Sequence, residues 1–458
     1  MILENKNIHF VGIGGSGMNP IASVLVDMGY KISGSDIKEN IHTLLLKDKG
    51  VQIFYGHDVS NIRTAEIVVI SAAIKANNVE LKGAINHNLP ILKRAEMLSY
   101  IMDQHNIRLA VAGTHGKTTV TSFISHYLCS IGRKPTYIIG APLKNTTIAS
   151  QYGQKDFCVA EADESDRSFL FLNPNIIVIT NIEEEHMDQF KDIKDILDAF
   201  NNFIKRLDKN NNLLIVNGDN ENIKKLNVKG KKVITYGFNN NNTVQAKNLI
   251  QTDGRKSFDV YVDGELIASQ VKLNIPGKHN IENCLTVFAL AKNFNLSYSD
   301  VVKSFQTFEG ASRRFHKAGE VNDIMIFDDY AHHPTEIKST LEAAKEYNRR
   351  IIAIFQPHRY SRFAAFQKDF VTSLSVADKV FFTEVYAAGE DPGNVKAIDI
   401  LPMFEKNKAE FIPIVSNIPP KVAEIAKAGD LIITLGAGDV TFVSKEIVQI
   451  LNMKKVDN

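Results

Sequence analysis

The run Gly113-Thr114-His115-Gly116-Lys117-Thr118-Thr119 follows the apolar stretch RLAVAG and opens a helical pattern. Backbone amides in such a loop and the Lys117 ammonium suit the phosphates of ATP, and a threonine hydroxyl suits Mg²⁺. The usual phosphate loop has a further glycine five positions before the one that precedes lysine. Val111 stands there, so the short form is a departure. Two acidic runs, Glu161-Ala-Asp-Glu-Ser-Asp and Asn181-Ile-Glu-Glu-Glu-His-Met-Asp, each end an apolar stretch. Mg²⁺ takes one or two protein carboxylates and keeps waters and phosphate oxygens, so most of these acids must be solvated or cap helices. Glu161, first off its strand, and His186 are the informative choices. A histidine ligand leaves Mn²⁺ open beside Mg²⁺. Asn280 and Asn283 lie three apart at the start of a helix and share one face, which fits either a ligand contact or capping.

A second glycine loop lies near the start. Gly12, Gly14 and Gly17 form G-x-G-x-x-G between a strand and a helix, and Asp36 ends the next strand. Taken alone, this is the fingerprint of a dinucleotide site, with Asp36 at the offset of a ribose-binding acid. The physics is broader than the label. Amides and a helix N-terminus favour any nucleotide diphosphate, a UDP-sugar included.

Strands and helices must hold these loops, and the pattern supplies them. In residues 1–107, NIHFVGIGG reads as strand then loop, and MNPIASVLVDMG as a helix that Gly29 stops. KISGSD reads as a second strand, EIVVISAAI as a third, and LPILKRAEML as a strand running into a helix. In residues 108–311, Val120, Phe123, Ile124, Tyr127, Leu128 and Ile131 recur at helical spacing, with Gly132 suited to the C′ position. DFCVAEADESD, NIIVITNIEEEHMD and NLLIVNGDN are strands that end in polar clusters. KKVITYGF and SFDVYVDGELIASQVKLNI are strands, the latter with a hairpin turn at Asp263-Gly264, and Asn239–Asn242 is a solvated loop. Residues 312–458 repeat the alternation in VNDIMIFDDY, RRIIAIFQPHRY, ADKVFFTEVY, EFIPIVSN and GDLIITLGAGD. The expected class is α/β: a Rossmann-like N-terminal domain, a central phosphate-loop domain and a C-terminal Rossmann-like domain. In such sheets ligands bind beyond the carboxyl ends of the strands, where the polar clusters sit.

Composition narrows the function. Fifty-three lysines and arginines against 52 acids leave +1, which argues against a basic nucleic-acid binder and a polybasic membrane anchor. No apolar run approaches the roughly 18–20 residues that span a bilayer. MILENKN lacks the features of a secretory signal, and Cys129, Cys158 and Cys284 are few and far apart. The expectation is a cytoplasmic enzyme with three buried thiols, monomer or homodimer, without disulfides or a zinc site. An NAD-dependent dehydrogenase would explain Gly12 to Asp36 but not GTHGKTT. A switch ATPase or a nucleotide sensor would explain the centre alone.

The set GIGGSGM, GTHGKTT, EADESD, TNIEEEHMD, HNIEN, SRRF, DDYAHHPTE, FQPHRYSR and VYAAGE, in this order along the chain, resembles the ATP-dependent Mur ligases of peptidoglycan synthesis. Within that family, FQPHRYSR and VYAAGE look like the member that adds alanine, and no counterpart of the later ligases' carbamylated lysine is apparent. Asn19-Pro20 and Val120 are small departures. The resemblance implies three substrates: ATP, UDP-N-acetylmuramate and L-alanine. It implies that Gly12, Gly14, Gly15, Ser16, Gly17, Asp36 and Ser71 meet the UDP-sugar. Gly113 to Thr119, Asn280, Asn283 and Arg314 would meet ATP, and Thr118, Glu161 and His186 would meet metal. Lys117, Glu161, His186, Arg314 and Asp329 would be catalytic, although Arg313 and Arg314 also fit a surface ion pair. Tyr330, His332, His358, Arg359 and Arg362 would form the amino-acid site, since an arginine fork holds a carboxylate through two hydrogen bonds.

Overall fold

The computed structural model describes residue 3 and residues 5–143, 146, 149–187, 189–208, 212–252 and 255–456. They form two compact units. The first comprises Met1–Glu185, Asp192–Gln245 and Leu285–Ser304. The second comprises His186–Lys191, Ala246–Cys284 and Phe305–Asn458. Among the described residues no helix is long and apolar enough to cross a membrane.

The first unit opens with five parallel strands, β1 (Asn7–Val11), β2 (Lys31–Asp36), β3 (Gln52–Tyr55), β4 (Ile67–Ile70) and β5 (Ile91–Lys93). Their order is β3-β2-β1-β4-β5. β1 sits centrally because Ile8, Phe10 and Val11 are fully buried, and its carboxyl end delivers Gly12 into the first glycine loop. The helix Asn19–Asp27 follows, and Gly29 closes it at φ +91°. β3 was not expected, so EIVVISAAI supplies the fourth strand. QIFY is short, edge-lying and only half-buried, and it carries little periodic signal.

A second sheet in this unit places β6 (Ile107–Ala112) between β10 (Ile176–Ile179) and β9 (Phe157–Glu161). Outward lie β11 (Leu213–Asn217) and β12 (Lys232–Gly237) on one side. β7 (Thr136–Ile138) and β8 (Ser150–Gln151) lie on the other, with β8 antiparallel to β7. The helix Lys117–Ser130 packs Val120, Phe123, Ile124, Tyr127 and Leu128 into the core, and Gly132 follows at φ +77°. Cys158 and Cys284 are buried, but Cys129 is exposed because it sits on the outer side of that helix's last turn. Asn242 is buried as well, since its amide holds Asp219 at 2.7 Å, so the Asn239–Asn242 loop is not wholly solvated.

β13 (Val244–Thr252) starts beside β12 and runs on into the second unit. There β14 (Arg255–Val262) and β15 (Glu265–Lys272) form an antiparallel hairpin turning at Asp263 and Gly264, both at positive φ. The second unit's main sheet has the order β16-β17-β21-β18-β19-β20. Its strands are β16 (His316–Val321), β17 (Ile324–Asp329), β18 (Arg350–Phe355), β19 (Lys379–Phe382), β20 (Ala409–Phe411) and β21 (Asp430–Leu435). All pair in parallel except β16, an antiparallel edge strand whose sequence HKAGEV gave no strand signal. Phe327, Ile337, Leu341, Phe355 and Phe363 fill one face, and Ile326, Ile354, Ile418, Val443 and Ile447 fill the other. The unit boundary cuts the 108–311 segment, because Ala246–Cys284 and residues from Phe305 on belong to the second unit.

Candidate active site

The central phosphate loop sits at the carboxyl end of β6. Gly113 holds φ +135°, and a Cβ there would stand 2.1 Å from Thr180 Oγ1, so no side chain fits. Asn181, just past β10, templates the loop. Its carbonyl accepts from Thr114 N at 3.0 Å and its side-chain oxygen from His115 N at 2.8 Å. The Lys117 ammonium donates to Gly113 O at 2.6 Å, to Thr114 O at 3.2 Å and to Glu164 Oε1 at 2.8 Å. Burial alone would lower the Lys117 pKa. The carboxylates of Glu164, Asp163 and Glu161 outweigh it and hold the pKa above the usual lysine value, so the charge stays on. Asp163 responds in the opposite sense: burial would raise it, and Lys117 and Arg94 pull it down. Thr118 and Thr119 lie buried in the first helical turn. Glu161 ends β9, and its Oε1 accepts from Gly140 N at 2.5 Å.

The N-terminal loop is built differently. Ser35 O, at the end of β2, accepts from Gly12 N at 2.9 Å and Ile13 N at 3.0 Å. Asp36 Oδ2 accepts from Gly14 N at 2.8 Å, so this acid braces the loop itself. A Cβ on Gly14 would meet Asn40 Nδ2 at 2.6 Å, Thr43 Cγ2 at 2.8 Å and Asp36 Oδ2 at 2.9 Å. The glycine is therefore demanded by the loop's own supports. Ser71 Oγ lies 3.5 Å from where a Gly12 Cβ would be, and the Arg94 side chain lies 3.1 Å from that of Gly17. Gly15 and Ser16 complete the turn before the helix Asn19–Asp27.

In the second unit four strand ends converge. Asp329, last in β17, accepts from Phe315 N at 2.6 Å and Ala331 N at 2.8 Å. Burial pushes its carboxyl up to about 6 against the pull of Arg314. Arg314 lies 3.6 Å from Glu336 and stacks over Tyr330 at 5.4 Å. Arg313 lies over the same Tyr330 ring at 4.9 Å and also bonds Asp328 at 3.1 Å and Gly436 O at 2.6 Å. His358, beyond β18, stacks on Tyr386 with ring centres 5.5 Å apart and faces the His332 ring at 5.8 Å. Burial, with Arg362 and Arg359 adding to it, pushes the His358 pKa down to about 4. Arg362 Nη1 donates to His358 O at 3.2 Å, and Arg359 holds a left-handed φ of +68°. Such a conformation costs a non-glycine residue about 1–3 kcal/mol and clusters at functional sites. Asn280 and Asn283 are buried near the start of the helix Lys278–Phe294, where Asn280 Nδ2 donates to Pro276 O at 2.6 Å.

Lys117, Thr118 and Glu161 thus belong to the first unit, and His186, Asn280, Asn283, Arg314, Asp329 and the amino-acid group to the second. His186 has φ +57°, and its carbonyl accepts from Gln189 N and Phe190 N. Sequence reasoning missed Arg94, Glu164 and Asn181 as individual residues. Arg94 reaches Asp163 at 3.4 Å and Ser168 at 3.3 Å, tying the N-terminal loop's surroundings to the acidic run. Glu164 and Asn181 stood inside quoted motifs, but only the fold shows which acid meets Lys117.

Family models match along the chain in three consecutive pieces. They are the Mur ligase family catalytic domain over residues 7–106, the Mur ligase middle domain over 111–291 and the Mur ligase glutamate ligase domain over 313–438. The chain is 39% identical over 457 residues to the UDP-N-acetylmuramate–L-alanine ligase of Dictyoglomus turgidum, covering 98% of this chain and 97% of that one. It is 38% identical to the enzyme of that name from Aquifex aeolicus, covering 98% and 99%. The crystal structure of the UDP-N-acetylmuramate–alanine ligase of Thermotoga maritima superposes with TM-score 0.82 at 28% identity, over 98% of this chain and 100% of that one. A murein peptide ligase from Psychrobacter arcticus follows at 0.72 and 26%, over 98% and 99%. With three domain models in register and full-length relatives near 39% identity, this three-domain α/β chain belongs to the Mur ligase family.

Proposed function

We propose that this chain joins L-alanine to the carboxylate of UDP-N-acetylmuramate, using ATP and releasing ADP and phosphate. The observation that carries it is the Lys117 ammonium, kept charged by Glu164, Asp163 and Glu161 at the mouth of a strand–loop–helix. A carboxylate does not condense with an amine at neutral pH, because hydroxide leaves poorly. Attack of that carboxylate on the γ-phosphorus of ATP displaces ADP and gives an acyl phosphate. The alanine amine then attacks the acyl carbon, loses a proton, and expels phosphate. Lys117 and the amides of Gly113 to Thr119 neutralise and align the transferring phosphoryl oxygens. The oxygens of Thr118 and Glu161 are the hard donors that Mg²⁺ prefers, and His186 would hold a second metal, for which Mn²⁺ is suited as well. Bound metal supplies charge neutralisation at the phosphates. Asn280, Asn283 and Arg314 contact the nucleotide. Asp329 holds the Phe315 and Ala331 amides and so sets Arg314 and Tyr330 in place.

The UDP-sugar lies on the loop Gly12–Gly17 with Asp36 and Ser71. Tyr330, His332, His358, Arg359 and Arg362 take the amino acid. The domains are 1–107, 108–311 and 312–458, and the enzyme works in the cytoplasm as a monomer or homodimer. Phosphate release from ATP that needs both UDP-N-acetylmuramate and L-alanine is the expected result. Release without the amino acid would overturn the reading in favour of a switch ATPase.

A further inference from the structure

A second buried charge lies in the first unit, away from the phosphate loop, and the chemistry above does not use it. Glu80 stands in the first turn of the helix Val79–Asn86 and is wholly inaccessible. Its Oε2 accepts from Ser35 Oγ at 2.5 Å. Its Oε1 accepts from Asn61 Nδ2 at 2.6 Å and from Asp58 N at 3.3 Å. His57 Nδ1 lies 3.2 Å from both Ser35 Oγ and Glu80 Oε2. His9 Nε2, equally buried, stands 3.8 Å from Oε2, beyond hydrogen-bond range. Its Nδ1 lies 2.9 Å from Ser33 Oγ. Burial would raise the Glu80 carboxyl, yet the His9 ring and the bonds from Ser35 and Asn61 bring it down to about 2. The group is therefore an ionised carboxylate at neutral pH, and both its oxygens act as acceptors.

Ionised carboxylates are rarely buried without a task, because removing one from water costs several kcal/mol unless bonds replace the water. The position of this one is informative. Glu80 joins three elements: β2 through Ser35, the turn after β3 through His57 and Asp58, and the short helix Val59–Ile62 through Asn61. Ser35 and Asp36 are consecutive. The Ser35 carbonyl carries the Gly12 and Ile13 amides, and the Asp36 carboxylate carries the Gly14 amide. The Asp36 carbonyl in turn accepts from Gly56 N at 2.8 Å, next to His57. Three successive amides of the glycine loop therefore hang from the strand end that Glu80 clamps.

We propose that Glu80 is a positioning residue for the sugar-nucleotide loop, acting through Ser35 and touching no substrate itself. Resting on the functional reading above, the proposal assigns to Glu80 the preorganisation of the loop Gly12–Gly17 for a nucleotide diphosphate: the Gly12–Gly14 amides are spent on Ser35 and Asp36 and fix the path of the turn that follows. An amide in place of the carboxylate has the same shape but no charge and only one acceptor oxygen: its NH₂ would face either the Asn61 amide, donor against donor, or the Ser35 hydroxyl, which must then turn from donor to acceptor and release its charge-assisted bond.

Glu80→Gln should raise the KM and Kd for UDP-N-acetylmuramate roughly ten- to a hundred-fold, the scale of a lost bond to a charged group. KM for ATP and for L-alanine should stay within about twofold, because their sites do not share this clamp. Asn61→Ala, at a half-buried position with one bond to Glu80, should give a smaller shift of the same selective kind. It keeps the test valid if the glutamine variant fails to fold. Calorimetry with UDP-N-acetylmuramate, and steady-state kinetics varying each substrate, read both effects. Unchanged sugar-nucleotide affinity in both variants, or an equal decline for all three substrates, would overturn the proposal. If the wild type itself does not bind UDP-N-acetylmuramate, the functional reading fails and the proposal goes with it.

Discussion

The two glycine loops of the first unit share one local grammar and differ in where their charge comes from. Each follows a buried parallel strand, contains a glycine that neighbouring atoms leave no room to replace (Gly14 in one, Gly113 in the other), and opens a helix. The central loop carries its own cation. Lys117 is tethered to the loop carbonyls and to Glu164, and nearby acids keep it protonated. The loop Gly12–Gly17 contains no cationic side chain. It is braced from outside by Ser35 and Asp36, which take the Gly12, Ile13 and Gly14 amides, and the Arg94 side chain of another element lies against Gly17. A diphosphate that is only bound needs aligned dipoles, whereas a phosphoryl group in flight develops charge that a fixed ammonium stabilises. The difference teaches that glycine spacing alone does not separate the two loops, and that the fixed Lys117 ammonium within one of them is what distinguishes the roles proposed above.

The largest test of that contrast is Lys117→Ala. Turnover should fall roughly a thousand-fold or more, as expected when a preorganised charge at a reacting phosphoryl group is removed. UDP-N-acetylmuramate binding should persist, since the N-terminal loop does not use Lys117. Ligation at near wild-type rate would place the chemistry elsewhere.

Next in size is Arg359→Lys, which asks whether the strand ends of the second unit work by charge and geometry together. Arg359 follows His358 in a left-handed conformation, beside Arg362 and the stacked His358–Tyr386 pair. Lysine keeps the charge but cannot form two parallel bonds to a carboxylate. The KM for alanine should rise roughly ten- to a hundred-fold, about 1.5–3 kcal/mol. Acyl phosphate formation should continue, and positional-isotope exchange in labelled ATP without alanine would report it. Lost exchange together with a normal alanine dependence would move Arg359 to the phosphoryl-transfer step.

Gly14→Val then probes the loop whose own residues carry no cation. The new side chain meets Asn40, Thr43 and Asp36, and overpacking of this kind costs about 1–3 kcal/mol. UDP-sugar affinity should drop while ATP binding survives, as separate titrations of the two ligands would show. Equal losses would indicate general unfolding, and tight NAD binding by the wild type would restore the dehydrogenase alternative.

Much of this was legible in the sequence because local rules suffice for it. Gly29 and Gly132 end helices, Asp263-Gly264 turns a hairpin, and both glycine loops sit between strand and helix as the patterns require. Edge strands β3 and β16 were not legible, since neither buries enough apolar surface to leave a periodic trace. Nor were partner choices. Four acids lie between Glu161 and Asp166, and only the path of the chain beyond β9 brings Glu164 to Lys117. Arg94 is a similar case, because nothing in KRAEML points across to Asp163 and Ser168, about seventy residues on. Asp36 stood at the offset of a ribose acid, and its bond to Gly14 N became visible only with the loop folded onto β2.

The smallest effect concerns pH and asks whether burial in the second unit disfavours the charged forms of His279, His358 and Asp329, in contrast with the charged Lys117. Burial, helped by nearby arginines, pushes His279 and His358 down to about 4 from an ordinary 6.5. Between these values the unfolded chain holds protons that the folded chain refuses, so stability rises with pH through that window. Asp329 acts in the opposite sense. Its carboxyl is raised from 3.8 to about 6, so the folded chain keeps a proton that the unfolded chain has lost, and stability falls as pH rises through that range. Two histidines against one carboxyl leave an unfolded-state excess of about one proton, worth at most about 1.4 kcal/mol per pH unit. His42, His105 and His126 in the first unit are lowered by burial too and add to the same sign. Denaturant unfolding at several pH values from 4.5 to 7.5 should therefore show stability lost on acidification below about 6.5. His358→Gln should flatten that slope and Asp329→Asn should steepen it. Two variants that moved the slope in the same direction would mean that one of these two groups is shifted in the direction opposite to that given by its burial.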